Sequence, residues 1–157
     1  MQEIERKFLV ASESFKEEAF SKTHMVQGFL NTHPERTVRV RLHNNVGFLT
    51  VKGKSSKSGT TRFEWEKAIS KNEAENLLLL CEKGIIDKIR YKIKHKAHVF
   101  EVDEFLGDNE GLIVAEVELA SENEHFEKPD WLGEEVTGQV QYYNSQLSKH
   151  PYKNWNH

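Results

Sequence analysis

Acidic and basic side chains recur at every second position along much of this chain, with apolar residues between them. The opening stretch MQEIERKFLV puts Glu3, Glu5 and Lys7 on one parity and Ile4 and Phe8 on the other. TVRVRLH repeats the device with Arg39 and Arg41, FLTVKGK with Thr50, Lys52 and Lys54, and TRFEWEKAI with Arg62, Glu64 and Glu66. Lys88, Arg90 and Lys92 follow in DKIRYKIK, Glu101 and Asp103 in HVFEVDEF, and Glu116 and Glu118 in VAEVELA. Acids lean to the first and the last two of these segments, bases to three between them, and the Arg62 segment carries both signs. Guanidinium forks and ammonium groups hold phosphate oxygens, and carboxylates suit a hard divalent cation. A surface carrying both suits a polyanion with its metal. On that reading Glu3 and Glu5 are candidate metal ligands and Lys7 a phosphate contact.

Period two is the strand signal, so each segment reads as a strand with one charged and one apolar face. A single such strand has an ordinary explanation, because antiparallel sheets turn a polar face to water. Seven together do not, since a solvated face usually mixes in Thr, Ser and Gln, and these faces are dominated by Arg, Lys, Glu and Asp. QGFLNT, around Phe29, is a weaker eighth candidate. Strands of this number and length can close into a barrel of roughly eight strands, with room inside for one small ligand. With the apolar faces outward under helices, the charged faces converge on a polar tunnel. The predicted class is α+β, mainly β: an eight-stranded antiparallel closed barrel with helices packed on its outside, one domain over residues 1–157. Burying so many charges costs many kcal/mol unless opposite charges, water and a charged ligand offset it.

Helices fill the intervals. Ser14 with Glu17 predicts a capping box and a short helix through Phe20. Ser70 with Glu73 predicts another, running NEAENLLLLCEK to a stop at Gly84. Ser121 and Glu124 predict a brief third helix before Pro129, and TGQVQYYNSQLSKH a last amphipathic helix stopped by Pro151. Asn44-Asn45-Val46-Gly47 reads as a hairpin turn and Ser55 to Gly59 as a mobile polar loop. That loop, VKGKSSKSG, lacks the GxxxxGK[ST] spacing of a phosphate loop.

Bulk properties narrow the classes. A net charge of −3 argues against a general nucleic-acid binder. No stretch approaches the roughly 20 apolar residues of a membrane span, and charges from Glu3 onward interrupt any signal peptide. The predicted compartment is the cytoplasm. Cys81 is the one cysteine, which leaves no internal disulfide or cysteine cage; its setting predicts a buried helix position. The eight histidines show no ligand spacing, and His95 and His98 read as surface residues. Trp65, Trp131 and Trp155 read as packing between wall and helices, and Lys54 and Lys92 as solvated strand ends.

The ordered set resembles a known family. Glu3-Ile4-Glu5-Arg6-Lys7 matches the ExExK signature of the CYTH superfamily, the triphosphate tunnel metalloenzymes. VRVR, LTVKG, the RxExE run at Arg62, KxRY, EVDEF, AEVEL, GEEVT and YYNSQL extend the likeness over nearly the whole chain. The resemblance implies an eight-stranded charge-lined tunnel and is strongest to the short bacterial branch that hydrolyses inorganic tripolyphosphate. Phe29 departs from it, since a tyrosine usually stands there and its phenol is missing here. The implied clamp on a triphosphate is Arg39, Arg41, Lys52, Lys88 and Arg90, with Arg62 either a further member or a structural partner of Glu64 and Glu66. Glu3, Glu5, Glu116 and Glu118 are implied ligands of Mg²⁺ or Mn²⁺, with Lys7 stabilising charge or orienting water. Asp103, Glu64 and Glu66 stay open as further ligands, a general base, or partners that keep the arginines paired. Rival readings are a class IV-like adenylyl cyclase, a thiamine triphosphatase, and a non-catalytic polyphosphate or nucleotide sensor. The expected partner is a small-molecule triphosphate, without nucleic acid or membrane, and the protein a monomer or homodimer.

Overall fold

The computed structural model describes residues 1–157. Eight strands form the barrel: β1 (Gln2–Val10), β2 (Ser21–Asn31), β3 (Arg36–His43), β4 (Val46–Gly53), β5 (Thr61–Ser70), β6 (Ile86–His95), β7 (His98–Phe105) and β8 (Ile113–Glu118). All neighbours are antiparallel, in the order β1-β8-β7-β6-β2-β3-β4-β5. The sheet closes where Gln2, Glu3 and Ile4 of β1 pair with Phe63, Arg62 and Thr61 of β5. The weak candidate QGFLNT lies in β2, the longest strand at 11 residues. A ninth strand, β9 (Leu132–Glu135), was not read from the sequence. It joins the same edge of β1 beyond β5, pairing Val10 with Leu132 and Phe8 with Glu135 across an irregularity.

The apolar parity does point outward. Phe8, Tyr91, Ile93, Phe100, Val102, Ala115 and Val117 form one buried layer with Phe15, Leu119, Phe126 and Trp131. Phe15 comes from α1 (Phe15–Glu18), and the last three from the connection around β8 and β9. The lumen parity is charged along most of its length but turns apolar at one end. Ile86 follows the Lys88 parity, Phe105 that of Asp103, and Val114 that of Glu116; these three pack with Phe29, Leu112 and Leu147. Leu147 belongs to α3 (Asn144–Lys149), so the tunnel is stoppered on that side by an apolar plug.

Several local expectations are corrected. Ser14 has helical backbone angles and caps nothing, and α1 stops at Glu18 because Ala19 is extended. The second box holds: in α2 (Lys71–Leu78) the Glu73 N–H donates to Ser70 Oγ and the Ser70 N–H to the Glu73 carboxylate, both at 3.0 Å. That helix ends at Leu78, however, and leaves Cys81 partly exposed in the following turn with its thiol on the Leu77 carbonyl. Ser121 to Glu124 makes one turn rather than a helix; the Glu124 carboxylate instead takes the Ala120 N–H and the His98 ring. His98 is therefore partly buried rather than a free surface residue. The C-terminal helix is broken at extended Tyr143 into a 3-10 turn (Val140–Tyr142) and α3. Asn44 and Asn45, with φ of 50° and 63°, make the β3–β4 hairpin as their left-handed tolerance allows.

Candidate active site

Period two and barrel closure bring all but one of the sequence candidates to a single cavity of about 210 Å³. Its lining holds Glu3, Glu5, Lys7, Arg39, Arg41, Lys52, Arg62, Glu64, Glu66, Lys88, Arg90, Glu116 and Glu118. Asp103 is the exception.

Along β6 and β7 the charges are matched. Arg90 grips Asp103 with two parallel bonds of 2.8 and 2.9 Å, and the Lys88 ammonium lies 2.9 Å from the same carboxylate. Lys88 also donates to Asn144 Oδ1 at 2.9 Å. Burial would raise the Asp103 acid, but Arg90 and Lys88 outweigh it and hold the carboxyl far below the usual range. Lys88 is brought down to about 7, by its own burial first and by repulsion from Arg90 and Arg41, against the pull of Asp103. At 3% exposure Asp103 sits behind Arg90 and lines no part of the cavity. Of the roles left open for it, the geometry fits the partner that keeps a base paired, and not a catalytic group meeting substrate.

On β3, β4 and β5 cations outnumber their partners. Arg39 reaches Thr50 Oγ1 at 3.1 Å and Glu66 at 3.4 Å, while Arg41 stands 3.9 Å from the same Glu66. One carboxylate serves two guanidiniums, and the Nε–H of each arginine has no acceptor. Burial, then Arg39 and Arg90, lower Arg41 to about 10. Lys52 lies 3.0 Å from Glu3 and 3.5 Å from Glu64. The bridge from Arg62 to Glu64 and Glu66, one of the two readings left open for it, is absent: its donors go to the Gly53 carbonyl at 3.0 Å and the Thr37 hydroxyl at 3.3 Å.

On β1 and β8 the surplus is acidic. Register places Glu5 opposite Glu118 and Lys7 opposite Glu116. Burial first, then Glu116 and Glu3, push the Glu5 carboxyl well up, while Lys7, 3.7 Å away, and Glu5 hold Glu116 near 2 against its burial. Burial first, and then Glu3, raise Glu64 to about 7. Burial first, then Glu3 and Glu101, raise Glu118.

The acidic wall fits a divalent cation in one specific sense. No group of three or more His, Cys, Asp or Glu side chains converges as a preformed cage. Mg²⁺ needs none, because it is commonly held by one or two carboxylates plus substrate phosphates and waters. The wall around Glu5, raised by burial and by Glu116 and Glu3 and lying beside Glu64 and Glu118, is where a positive charge is in demand.

Sequence reasoning put Glu101 and Thr50 on the lumen parity without giving either a role, and it missed Thr37, Tyr143 and Asn144 as lining residues. Glu101 had the right parity two residues before Asp103. Tyr143 and Asn144 lay in the YYNSQL stretch, where a helical reading hid the extended residue that turns them inward.

Comparison with known proteins gives a consistent family. The family model described as "CYTH domain" matches residues 1–152. An inorganic triphosphatase of Acetivibrio thermocellus is 49% identical over 154 residues, covering 98% of this chain and 97% of that protein. An inorganic triphosphatase of Nitrosomonas europaea is 36% identical over 152 residues, covering 94% of this chain and 97% of the relative. The crystal structure of the inorganic triphosphatase NE1496 superposes with a TM-score of 0.63 at 32% identity, over 92% of this chain and 96% of that one. The PH1012 protein of Pyrococcus horikoshii shares the fold at a TM-score of 0.62 and 21% identity, over 77% of this chain and 80% of that one.

Proposed function

The chain belongs to the CYTH domain family, and we propose that its tunnel hydrolyses the terminal phosphate of inorganic triphosphate with Mg²⁺ or Mn²⁺. The observation that carries this reading is the separation of sign in the lumen. Arg39 and Arg41, short of acceptors, face a wall of carboxylates crowded enough to push Glu5 well up. A triphosphate would supply oxygens to the first wall, and the carboxylates of the second would hold a divalent cation.

Phosphoryl transfer needs chiefly positioning and charge neutralisation. Arg39, Arg41 and Lys52 grip phosphate oxygens, with Arg90 and Lys88 below them and Arg62 at the edge. Their unused N–H groups are fixed before substrate arrives, which lowers the ordering cost of binding. Glu5 and Glu116, with Glu3 and Glu118, would hold the cation; Glu64 and Glu66 keep Lys52, Arg39 and Arg41 in place. When bound, the cation offsets phosphate charge and activates water as nucleophile. Lys7, held 4.7 Å from the Tyr143 ring centroid and 3.7 Å from Glu116, stands ready to stabilise charge on the leaving oxygens.

A cyclase or thiamine triphosphatase would need an apolar slot for a base or thiazole ring. Only two of the 24 lining residues are hydrophobic, which favours the inorganic substrate. The test is phosphate release from tripolyphosphate, ATP and thiamine triphosphate with Mg²⁺, Mn²⁺ or EDTA. Metal-dependent release with tripolyphosphate far ahead is expected. Cyclic AMP from ATP would replace the reading with the cyclase, and tight binding without turnover would replace it with the sensor.

A further inference from the structure

Behind the tunnel lies a second cavity of about 300 Å³ with a different chemistry. The two adjoin, sharing Thr37, Gly59, Arg62, Gly138, Tyr143 and Ser145 in their walls. The tunnel lining contains seven glutamates; the second cavity's lining contains no acid at all. It has instead three cations, Lys54, Lys57 and Arg62, with the hydroxyls of Ser55 and Ser56 and the amide of Gln146. Arg62 spends its bonds on one carbonyl and one hydroxyl, both neutral. A guanidinium has five donors, so its charge and several N–H groups remain for another acceptor. The Tyr143 ring lies between Arg62, 5.7 Å from its centroid, and Lys7 on the tunnel side. It supports both cations without neutralising either.

Topology explains why this cavity borders the tunnel. The antiparallel order puts the β2–β3 turn and the β4–β5 loop at one end of the barrel, where α3 also packs. The apolar stopper of Ile86, Phe105 and Val114 closes that end on the β6–β8 side only. On the β3–β5 side the closure is polar and basic.

We propose that this acid-free cavity is a second oxyanion site, which binds a phosphate group outside the tunnel with Arg62, Lys54 and Lys57. The choice of phosphate rests on the triphosphatase reading of the tunnel; the preference for an anion does not. Two sources share this chemistry: orthophosphate released by hydrolysis, and the distal phosphate of a substrate longer than the tunnel holds.

The experiment is calorimetric titration of the metal-free protein with inorganic phosphate. It compares wild type, Arg39→Ala/Arg41→Ala, Lys54→Ala/Lys57→Ala, Gln146→Glu, and the charge-matched control Lys67→Ala/Lys71→Ala. Two binding events are expected in wild type and in the control. The arginine variant should keep one of them, and the Lys54/Lys57 and Gln146 variants should weaken that one about 10-fold, or about 1.4 kcal/mol. Binding unchanged in both Lys54/Lys57 and Gln146 variants, or lost altogether in the arginine variant, would overturn the second site. Weaker inhibition of tripolyphosphate turnover by orthophosphate in the lysine variant assigns the site to product. A raised KM for longer linear polyphosphate alone assigns it to substrate. The titration needs no turnover, so an inactive protein would sink the tunnel reading and leave this one to its own result.

Discussion

The lumen contains two charged regions built from the same residue types and treated in opposite ways. On β6 and β7, Lys88, Arg90 and Asp103 satisfy one another in a buried cluster. On β1 and β8, Glu116 and Glu3 push the buried Glu5 carboxyl up, and across the barrel Arg39 and Arg41 compete for one Glu66. The first arrangement is complete without a ligand. The second is complete only with one. Buried charge therefore does two jobs in this barrel: matched charge fixes the wall, and mismatched charge specifies what must enter.

The largest effect expected from that contrast is at Asp103. Asp103→Ala leaves Lys88 buried without its counter-charge and Arg90 with only the 3.4 Å contact to Glu101, a loss of buried pairing that typically costs about 3–5 kcal/mol. Urea unfolding should show that loss, a large part of the roughly 5–15 kcal/mol a domain has. A variant as stable as wild type would show that this region is no more a structural unit than the other. Glu5→Gln forms the converse test. It removes a carboxyl whose charge is disfavoured by burial and by Glu116 and Glu3, so stability should hold or rise slightly while metal-dependent turnover falls about 100-fold, equivalent to about 2.7 kcal/mol in the transition state. Unfolding on the scale of Asp103→Ala would erase the distinction.

Much of this was legible in the sequence because a barrel converts parity directly into position. Knowing that Glu3, Glu5 and Lys7 shared a face with Arg39, Arg90 and Glu116 in their own strands was enough to gather them once the sheet closed. Parity gives no information about depth, however. Asp103 and Arg90 had equal claims on the ligand, and only cross-strand register, Arg90 opposite Asp103, decided that one covers the other. The apolar end of the lumen was hidden for a related reason. Ile86, Phe105 and Val114 sit at strand ends, where two or three residues cannot reveal a face. The third helix failed because Glu124 had a better partner in His98, 26 residues away, than in its own turn. Tertiary partners overrode local signals wherever a charged side chain could reach one.

A smaller effect is expected at Arg39. Its unpartnered Nε–H and its long contact to Glu66 make it one of the donors left for phosphate. Hydrogen bonds to charged groups contribute roughly 1.5–3 kcal/mol, so Arg39→Ala should raise KM for tripolyphosphate about 30-fold with little loss of stability. An unchanged KM and kcat would remove Arg39 from the clamp and make the basic wall part of the matched region.

The smallest and most discriminating effect is in pH. The two regions carry opposite linkage. Asp103 is depressed in the folded protein, so its contribution is present above the ordinary carboxylate range and lost only in strong acid. Glu64 is raised to about 7 from an ordinary value of 4.5, so the folded state holds its proton more tightly than the unfolded chain. Its contribution is full below about 4.5 and is lost as pH rises through about 7. Lys88, lowered to about 7, begins to lose its proton in the folded state near the top of that interval and opposes the decline. His43, lowered by burial and by Arg41, adds to that opposing slope. The informative quantity is therefore the difference between wild type and Glu64→Gln. In metal-free buffer, the Tm of wild type relative to the variant should decline from pH 5 to pH 7.5, and Mg²⁺ at pH 7.5 should remove much of that decline by taking the proton's place. Parallel Tm curves would show that Glu64 is already compensated by Lys52, and the mismatched region would shrink to Glu5 and Glu116.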